Sequence, residues 1–315
     1  MADDPGARSP AVVLTIALVG ISVAAPMIRL SHDPPLAIAV WRLGFSLVVI
    51  LPFLARMRGW QQWARLTRQD RAVAAAAGVL LAMHFWSWNT SLAYTSIAAS
   101  VVLVNTQPII VAIVSVLWLH ETPSGRQWSG IAIAVLGACI VGWGDFSGGG
   151  GATTAATNRA FLGDGLALFG GIAAAIYYVA GRRLRTTLDL WPYVALVYSV
   201  CFVTLLAIAG VAGTPLLPQP PRELAIFAGL ALGPMLLGHT GLNWALKYLP
   251  AYIVVLTVLG EPIGATLLAA LLPGIREIPK ASTLAGGIVL LTGIIIAATY
   301  TTSPNTASSQ DAPLG

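Results

Sequence analysis

Charged side chains are scarce in this sequence. They make up 9% of its 315 residues, while apolar residues reach 57%, whereas soluble domains carry about 25% charged residues. A soluble domain is therefore excluded, and the composition predicts a membrane protein surrounded by the lipid bilayer. The formal net charge of +5 does not indicate a nucleic-acid partner, because the arginines lie in short clusters between apolar runs, as in the loops of membrane proteins.

Cysteines and catalytic motifs are also lacking. Cys139 and Cys201 each lie in an apolar run without metal-ligand spacing, so we expect no disulfide framework, no metal and no cofactor. The sequence has no His-Glu-x-x-His motif, no Gly-x-Ser-x-Gly motif and no phosphate-binding Gly-x-x-x-x-Gly-Lys-Ser/Thr motif. An ATP-driven pump is thus excluded within this chain, and we expect that the protein is not an enzyme.

Long apolar runs are what the sequence does have. A bilayer is crossed by roughly 17 to 25 apolar residues in a helix, and such runs are found at residues 11–28, 36–55, 72–93, 98–119, 127–143, 161–181, 192–211, 224–246, 252–272 and 282–299. They predict an all-α membrane protein of ten transmembrane helices. The glycine-rich stretch 148–151 predicts a flexible linker between two halves, 11–146 and 158–300, and the polar segment 301–315 predicts a disordered tail.

A set of residues occurs twice in the same order, which indicates an internal duplication. The first copy contains Asn89, Leu92, Tyr94, Pro108, Glu121, Gly130 and Gly137, and the second contains Asn243, Leu246, Tyr248, Pro262, Glu277, Gly286 and Gly293. Each half contributes five predicted helices. Because five is odd, the second half would enter the membrane upside down, which is the inverted repeat of secondary transporters.

The arginines predict the orientation. Those at positions 56–71 and 182–185 fall in loops on the N-terminal side of the predicted bundle. Since cytoplasmic loops are enriched in Lys and Arg, we expect both termini in the cytoplasm and the protein in the plasma membrane.

Two polar stripes lie on predicted spans, and lipid offers such groups no hydrogen-bond partner. The third span carries His84, Trp88, Asn89 and Ser91, and the eighth carries His239, Asn243 and Trp244. Two interpretations stay open: hydrogen bonds between helices, or the walls of a substrate cavity that stacks on planar or apolar ligands. We add Tyr94, Tyr177 and Tyr252 to the predicted substrate site.

Glu261 is a carboxylate within a predicted span, and its counterpart in the first copy is Gln107. A carboxylate at that depth is costly unless it is paired, protonated or hydrated. It could couple transport to protons, bind a substrate amine, or be satisfied by water where Pro262 breaks the helix. Pro26, Pro108 and Pro262 interrupt their spans, as the broken helices of transporters do. The predicted coupling or gating residues are Arg42, Gln107, Pro108, Glu261 and Pro262.

Arg42 follows Trp41 in the second span. It could bind a substrate carboxylate through two parallel hydrogen bonds. It could instead extend to the membrane surface or bond a backbone carbonyl, and this second interpretation is the one that we favour.

Five helices per half, each half ending in Pro and then Glu-x8-Gly-x6-Gly, together with Trp41-Arg42, resemble the EamA-type members of the drug/metabolite transporter superfamily. Within that group the chain is most similar to the YddG-type exporters of aromatic and other neutral amino acids. The resemblance implies a ten-helix bundle with a central cavity that opens to one side at a time and a small-molecule substrate leaving the cytoplasm. The superfamily also carries other metabolites and drugs, so a multidrug exporter is an alternative.

A membrane enzyme or receptor is the competing class. It would need a cluster of carboxylates, histidines or metal ligands, and His84, His239 and Glu261 are the candidates. Exchange, proton antiport and passive facilitation all remain open as driving forces.

Overall fold

The structure is a computed structural model, and it describes residues 9–119, 124–146, 154–249 and 251–298. Within these ranges the chain is helical and contains no strand. The α-helices are α1 (Pro10–Ser22), α2 (Ala24–Leu30), α3 (Pro35–Arg56), α4 (Arg68–Tyr94), α5 (Ile97–Val104), α6 (Gln107–Leu119), α7 (Gly125–Phe146), α8 (Thr154–Leu184), α9 (Leu190–Val211), α10 (Pro221–Leu230), α11 (Thr240–Ala245), α12 (Ala251–Thr257), α13 (Glu261–Leu271) and α14 (Ala281–Ala298).

Six helical segments are long and apolar enough to cross a membrane: Pro10–Leu30, Pro35–Arg56, Arg68–Tyr94, Asn158–Leu184, Leu190–Val211 and Pro221–Ala245. They confirm six of the predicted spans. Shorter apolar helices at Ile97–Val111, Trp128–Val141, Val258–Leu271 and Ala281–Gly293 coincide with the other four, which stay predictions as membrane spans. The predicted linker at 148–151 and the tail at 301–315 lie outside the described residues.

Local sequence explains where the helices begin. Proline occupies the first turn of α1, α3, α10 and α13, where its missing N–H costs no helical hydrogen bond. Thr67 and Ser96 cap α4 and α5 by accepting from the backbone N–H groups of Asp70 and Ala99, which satisfies one free donor at each helix start.

The helical path is interrupted in four places. Asn105 and Thr106 separate α5 from α6 just before Pro108, and a 3-10 turn, Val258–Gly260, precedes α13 and Pro262, as predicted from the two prolines. The break between α1 and α2 falls at Val23, earlier than the predicted Pro26. A wide-turn π-helical segment, Ala231–His239, contains Pro234 and joins α10 to α11; it was not predicted.

Helices α7 and α14 pack backbone to backbone. A Cβ on Gly286 would lie 2.8 Å from the Gly137 carbonyl oxygen, and one on Gly293 would lie 2.6 Å from the Gly130 carbonyl oxygen. Rising residue numbers on one helix meet falling numbers on the other, so the helices are antiparallel. Small residues allow helices to approach closely, and here the glycines of the two sequence copies meet each other within one chain.

Two further helix pairs surround the centre of the molecule. Antiparallel α4 and α8 contact each other near Ser87 and Gly170, and α1 contacts the π-helical segment near Gly20 and Gly233. Large apolar side chains such as Val19, Val48 and Val203 face outward, which suits a lipid environment. Between the two pairs lies the cavity described next.

Candidate functional site

A cavity lies where the broken helices meet at the centre of the bundle. It has an empty volume of about 390 Å³, counting the space open to solvent. Its wall combines polar and apolar side chains: Ile21, Ala24, Arg42, His84, Trp88, Val104, Gln107, Ala174, Tyr178, His239, Leu242, Val258 and Glu261. The narrow central space suffices for about one or two water molecules, so a metabolite enters only if the walls move apart.

Arg42 is presented to the cavity by α3. The preceding residue, Trp41, stacks on Phe227, and its indole N–H donates to the Leu216 carbonyl oxygen at 3.0 Å. These contacts fix the rotation of α3 about its own axis. The guanidinium of Arg42 is fully buried, has no hydrogen-bond partner, and lies 4.4 Å from the ring centroid of Phe85. The favoured prediction that Arg42 reaches the membrane surface or a carbonyl is therefore wrong, because the side chain turns inward.

Glu261 begins α13 directly after the 3-10 turn, and its side chain is buried. Asn105, at the break between α5 and α6, donates to Oε2 of Glu261 at 3.1 Å. The two broken helices thus meet through this hydrogen bond. Gln107 lines the cavity near the break between α5 and α6. Pro108 is the second residue of α6, and Pro262 is the second residue of α13.

Two histidines approach each other across the cavity. His84 Nδ1 lies 3.0 Å from the Gly170 carbonyl oxygen, and since a carbonyl only accepts, Nδ1 carries the hydrogen. The ring stacks on Trp88 at a centroid distance of 5.8 Å and lies 6.0 Å from the ring of His239. Tyr178 stacks on His239 from the other side. The result is an aromatic wall of two parallel ring pairs, which meet at an angle of 60° between His84 and His239.

Counterpart residues of the two sequence copies share the lining. Asn89 and Asn243 are 154 positions apart, and the same offset relates Trp88 to Leu242, Val104 to Val258 and Gln107 to Glu261, all of which face the cavity.

Asn243 and Tyr177, both predicted to bind substrate, form a buried network beside the cavity instead of its lining. Nδ2 of Asn243 donates to the hydroxyls of Tyr177 and Tyr198, and the Tyr198 hydroxyl lies 3.2 Å from Oγ1 of Thr240. These contacts join α8, α9 and α11. For these residues the interpretation as hydrogen bonds between helices fits the geometry better.

Other predicted site residues also lie away from the lining. Asn89 is buried and donates to the Pro35 carbonyl oxygen, while Ser91 contacts Ser100 across α4 and α5. Tyr94 is exposed at the end of α4, and Trp244 packs against Tyr248. Tyr252 belongs to α12, and its side chain lies outside the described residues.

Sequence reasoning missed three contributors. Phe85 is an aromatic residue in an apolar run, so nothing distinguishes it in the sequence, whereas Tyr178 directly follows Tyr177, which was placed in the site instead of it. Asn105 did carry a signal, since it is a polar residue within an apolar run two positions before Gln107. Its partner Glu261, 156 positions further on, is visible only in the structure.

At the end of the bundle that holds the turn between α4 and α5, Arg29 and Glu277 link distant segments. Nη1 of Arg29 lies 3.0 Å from Oε2 of Glu277, and Nη2 donates to the Thr95 carbonyl oxygen at 2.7 Å. Oε1 of Glu277 accepts from the backbone N–H of Ile97. We call these four residues the Arg29 cluster; it ties α2, α5 and the segment before α14 together at this end.

The opposite end carries exposed polar contacts. Asp189 accepts hydrogen bonds from Gln62 and from Lys247, and first Gln62, then Lys247, lowers the pKa of Asp189 below its ordinary value. Arg185 is buried there and donates to the carbonyl oxygens of Asn243 and Leu188.

Metal ligands are not gathered in the described part of the chain. In those ranges no three His, Cys, Asp or Glu side chains lie close enough to hold a metal ion. Cys139 is exposed and Cys201 is buried, and neither forms a disulfide.

A helical bundle with broken helices around a central polar cavity defines a membrane transporter fold. The model of the EamA-like transporter family matches the sequence twice, at residues 10–143 and 161–299. The chain belongs to the EamA-like transporter family.

A riboflavin transporter from Rhizobium johnstonii is 33% identical over 113 residues, and the match covers 34% of this chain and 34% of that protein. The chain thus spans about a third of the length of this curated relative. A protein of known crystal structure superposes with a TM-score of 0.63 at 17% identity, covering 91% of this chain and 96% of its own. At that identity the likeness concerns the fold alone.

Proposed function

We propose that the protein is a secondary transporter that exports small amphipathic metabolites by alternating access, with aromatic and other neutral amino acids as the leading substrates. The observation that carries this proposal is the narrow cavity at the meeting point of the broken helices, lined by planar rings, a guanidinium and a carboxyl group. The protein would lie in the plasma membrane with both termini in the cytoplasm, which is the orientation that the arginines predict.

The proposed architecture is ten transmembrane helices in two inverted repeats, residues 11–146 and 158–300. Two family matches in one chain support it, as does the antiparallel packing of α7 on α14. An inverted repeat places counterpart residues around a common axis. The cavity lining by Trp88 with Leu242 and by Gln107 with Glu261 agrees with such an axis.

Alternating access fits the two ends of the bundle. The Arg29 cluster closes one end through charge-assisted hydrogen bonds, and the cavity is too narrow for a metabolite. Transport would therefore require these contacts to break and the walls to separate in turn.

A flavin is the second candidate substrate. The relative that is 33% identical over part of the chain is named a riboflavin transporter, and the stacked rings of His84 and Trp88 suit a planar ring system. A neutral amino acid carries both a carboxylate and an ammonium group, whereas riboflavin carries neither, so the two candidates are separable by experiment.

The test is flux in proteoliposomes. Purified protein is reconstituted, and efflux of labelled tryptophan, phenylalanine, threonine, methionine and riboflavin is compared with that of empty vesicles. We expect flux above the control for aromatic amino acids. An absence of flux for every compound would rule out the proposal.

Trp88 provides a matched variant pair with Trp244. Trp88 lines the cavity, whereas Trp244 does not. Trp88→Ala should therefore slow the transport of aromatic substrates more than the transport of threonine. Stacking is worth about 0.5–1.5 kcal/mol, or roughly 2- to 13-fold. Trp244→Ala should leave the aromatic-to-threonine ratio unchanged, and an equal change in both variants would contradict the assigned cavity wall.

A further inference from the structure

Arg42 carries donors that nothing in the described structure receives. All three guanidinium nitrogens are buried without a hydrogen-bond partner, and the side chain lines the cavity. A guanidinium has five N–H donors, and unpaired donors away from water are destabilising. The contact with the face of Phe85 favours the charge but uses none of the in-plane donors.

Glu261 presents the opposite charge to the same cavity. Asn105 holds one of its carboxylate oxygens, which fixes the group at the start of α13. Arg42 and Glu261 form no ion pair with each other, since none of the guanidinium nitrogens has a partner and the described salt bridges join other residues. A guanidinium and a carboxyl group thus face one space without pairing with each other.

We propose that Arg42 binds the carboxylate and Glu261 the ammonium group of a zwitterionic α-amino acid, which rests on the transporter function proposed above. A planar guanidinium matches a carboxylate through two parallel N–H···O bonds. The ammonium group of the ligand then donates hydrogen bonds to the Glu261 carboxylate, and the ligand's side chain packs against the aromatic wall of His84, Trp88 and Tyr178. Both charges are neutralised by one ligand with no net charge.

The assignment predicts selectivity. Tryptamine lacks the carboxylate and leaves Arg42 unpaired, and indole-3-propionate lacks the amine and leaves Glu261 unpaired. A site built to pair a polar group rejects analogues that lack it, because its own buried groups then stay unsatisfied. Riboflavin offers acceptors to Arg42 but no cation to Glu261.

Ligand-induced thermal stabilisation of the purified protein measures this preference. We expect tryptophan to bind at least ten-fold more tightly than tryptamine, indole-3-propionate or riboflavin. Arg42→Met should weaken the binding of tryptophan at least ten-fold, so that tryptophan no longer binds more tightly than tryptamine. Arg42→Lys keeps the charge without the fork and should give an intermediate loss.

The unliganded variants give a second readout. Because the guanidinium is unpaired in the empty cavity, Arg42→Met should melt at the same temperature as the wild type or higher. Lys247→Met removes an exposed cation at the end of the bundle and should change neither ligand preference nor flux.

Several results would overturn the assignment. Equal binding of tryptophan and tryptamine by the wild type would do so without any variant, and so would an unchanged preference in Arg42→Met. Flux of riboflavin without binding of any amino acid would reject the zwitterion site while leaving the transporter intact. Absence of flux for every compound would reject the transporter, and the binding series would still decide the role of Arg42.

Discussion

The contact between α7 and α14 and the central cavity use the sequence repeat in different ways. In the helix contact, Gly137 and Gly286 come from different copies and perform the same task, since each allows the other backbone to approach. In the cavity, Gln107 and its counterpart Glu261 both line the wall, as do Trp88 and its counterpart Leu242, but the chemistry within each pair differs. Packing demands the same small residue on both sides, whereas binding an asymmetric ligand demands different chemical groups on the two sides.

Substitutions in the contact between α7 and α14 should have the largest effect on folding, and the effect should be equal for either helix. Gly137→Leu and Gly286→Leu each insert a side chain where backbone atoms already lie. Overpacking costs about 1–3 kcal/mol and more where the backbone cannot shift, so both variants should lose most of their folded yield. Folded yield and thermal melting in detergent provide the measurement.

Gly165→Ala in α8 is the control, because a Cβ there meets nothing within 4 Å, and it should fold normally. Tolerance of one leucine variant together with loss of the other would show that the two glycines do not share one contact.

The cavity should be sensitive to which copy carries the carboxylate. Glu261→Gln should lower amino-acid transport about 10-fold or more, since hydrogen bonds to charged groups are worth about 1.5–3 kcal/mol. Moving the charge, as Gln107→Glu with Glu261→Gln, should not restore transport. Asn105, the donor to Glu261, has Leu259 as its counterpart at the same offset of 154, and leucine donates no hydrogen bond.

Adding Leu259→Asn to that double variant should recover part of the flux. Flux and substrate exchange of all three variants at two pH values are the measurement. If Glu261→Gln transported normally with the normal pH response, the residue would have a structural role only; loss of pH dependence with exchange retained would indicate proton coupling instead.

The Arg29 cluster should give the smallest of the three effects. Arg29→Met removes the ion pair with Glu277 and the hydrogen bond to Thr95, which favours opening of this end. A loss of about 1–1.5 kcal/mol shifts a two-state population about 5- to 13-fold. The measurement uses a chain in which Cys139 and Cys201 are replaced by Ala and Val104→Cys provides the one cysteine. A membrane-impermeant thiol reagent is added on the side of the α4–α5 turn. Arg29→Met should raise the labelling rate of that cysteine by the same factor.

Lys247→Met, which breaks an exposed ion pair at the opposite end, should leave labelling from that side unchanged. A rise of equal size in both variants would indicate general loosening, and no rise in Arg29→Met would mean that the cluster does not close this end.

The helices and their breaks could be predicted from the sequence because their causes are local. Hydropathy over about twenty residues gives a span, and Pro108 and Pro262 remove backbone donors near the positions where the helices break. The break at Val23 lies three residues before Pro26, which the sequence had also marked as an interruption, whereas the π-helical segment 231–239 was not predicted. That segment contains Pro234 and packs against α1 near Gly20 and Gly233.

The sequence by itself determined that polar groups lie at depth in an apolar chain, and that His84, Trp88, His239 and Glu261 belong to helices that must meet. Only the tertiary structure decided which of these groups face a cavity. Asn243 and Asn89 find hydrogen-bond partners on neighbouring helices, while Arg42 finds none and turns inward. A residue's position along its helix follows from the sequence, but whether its donors are satisfied depends on partners that are distant in the chain, and those partners are fixed by packing.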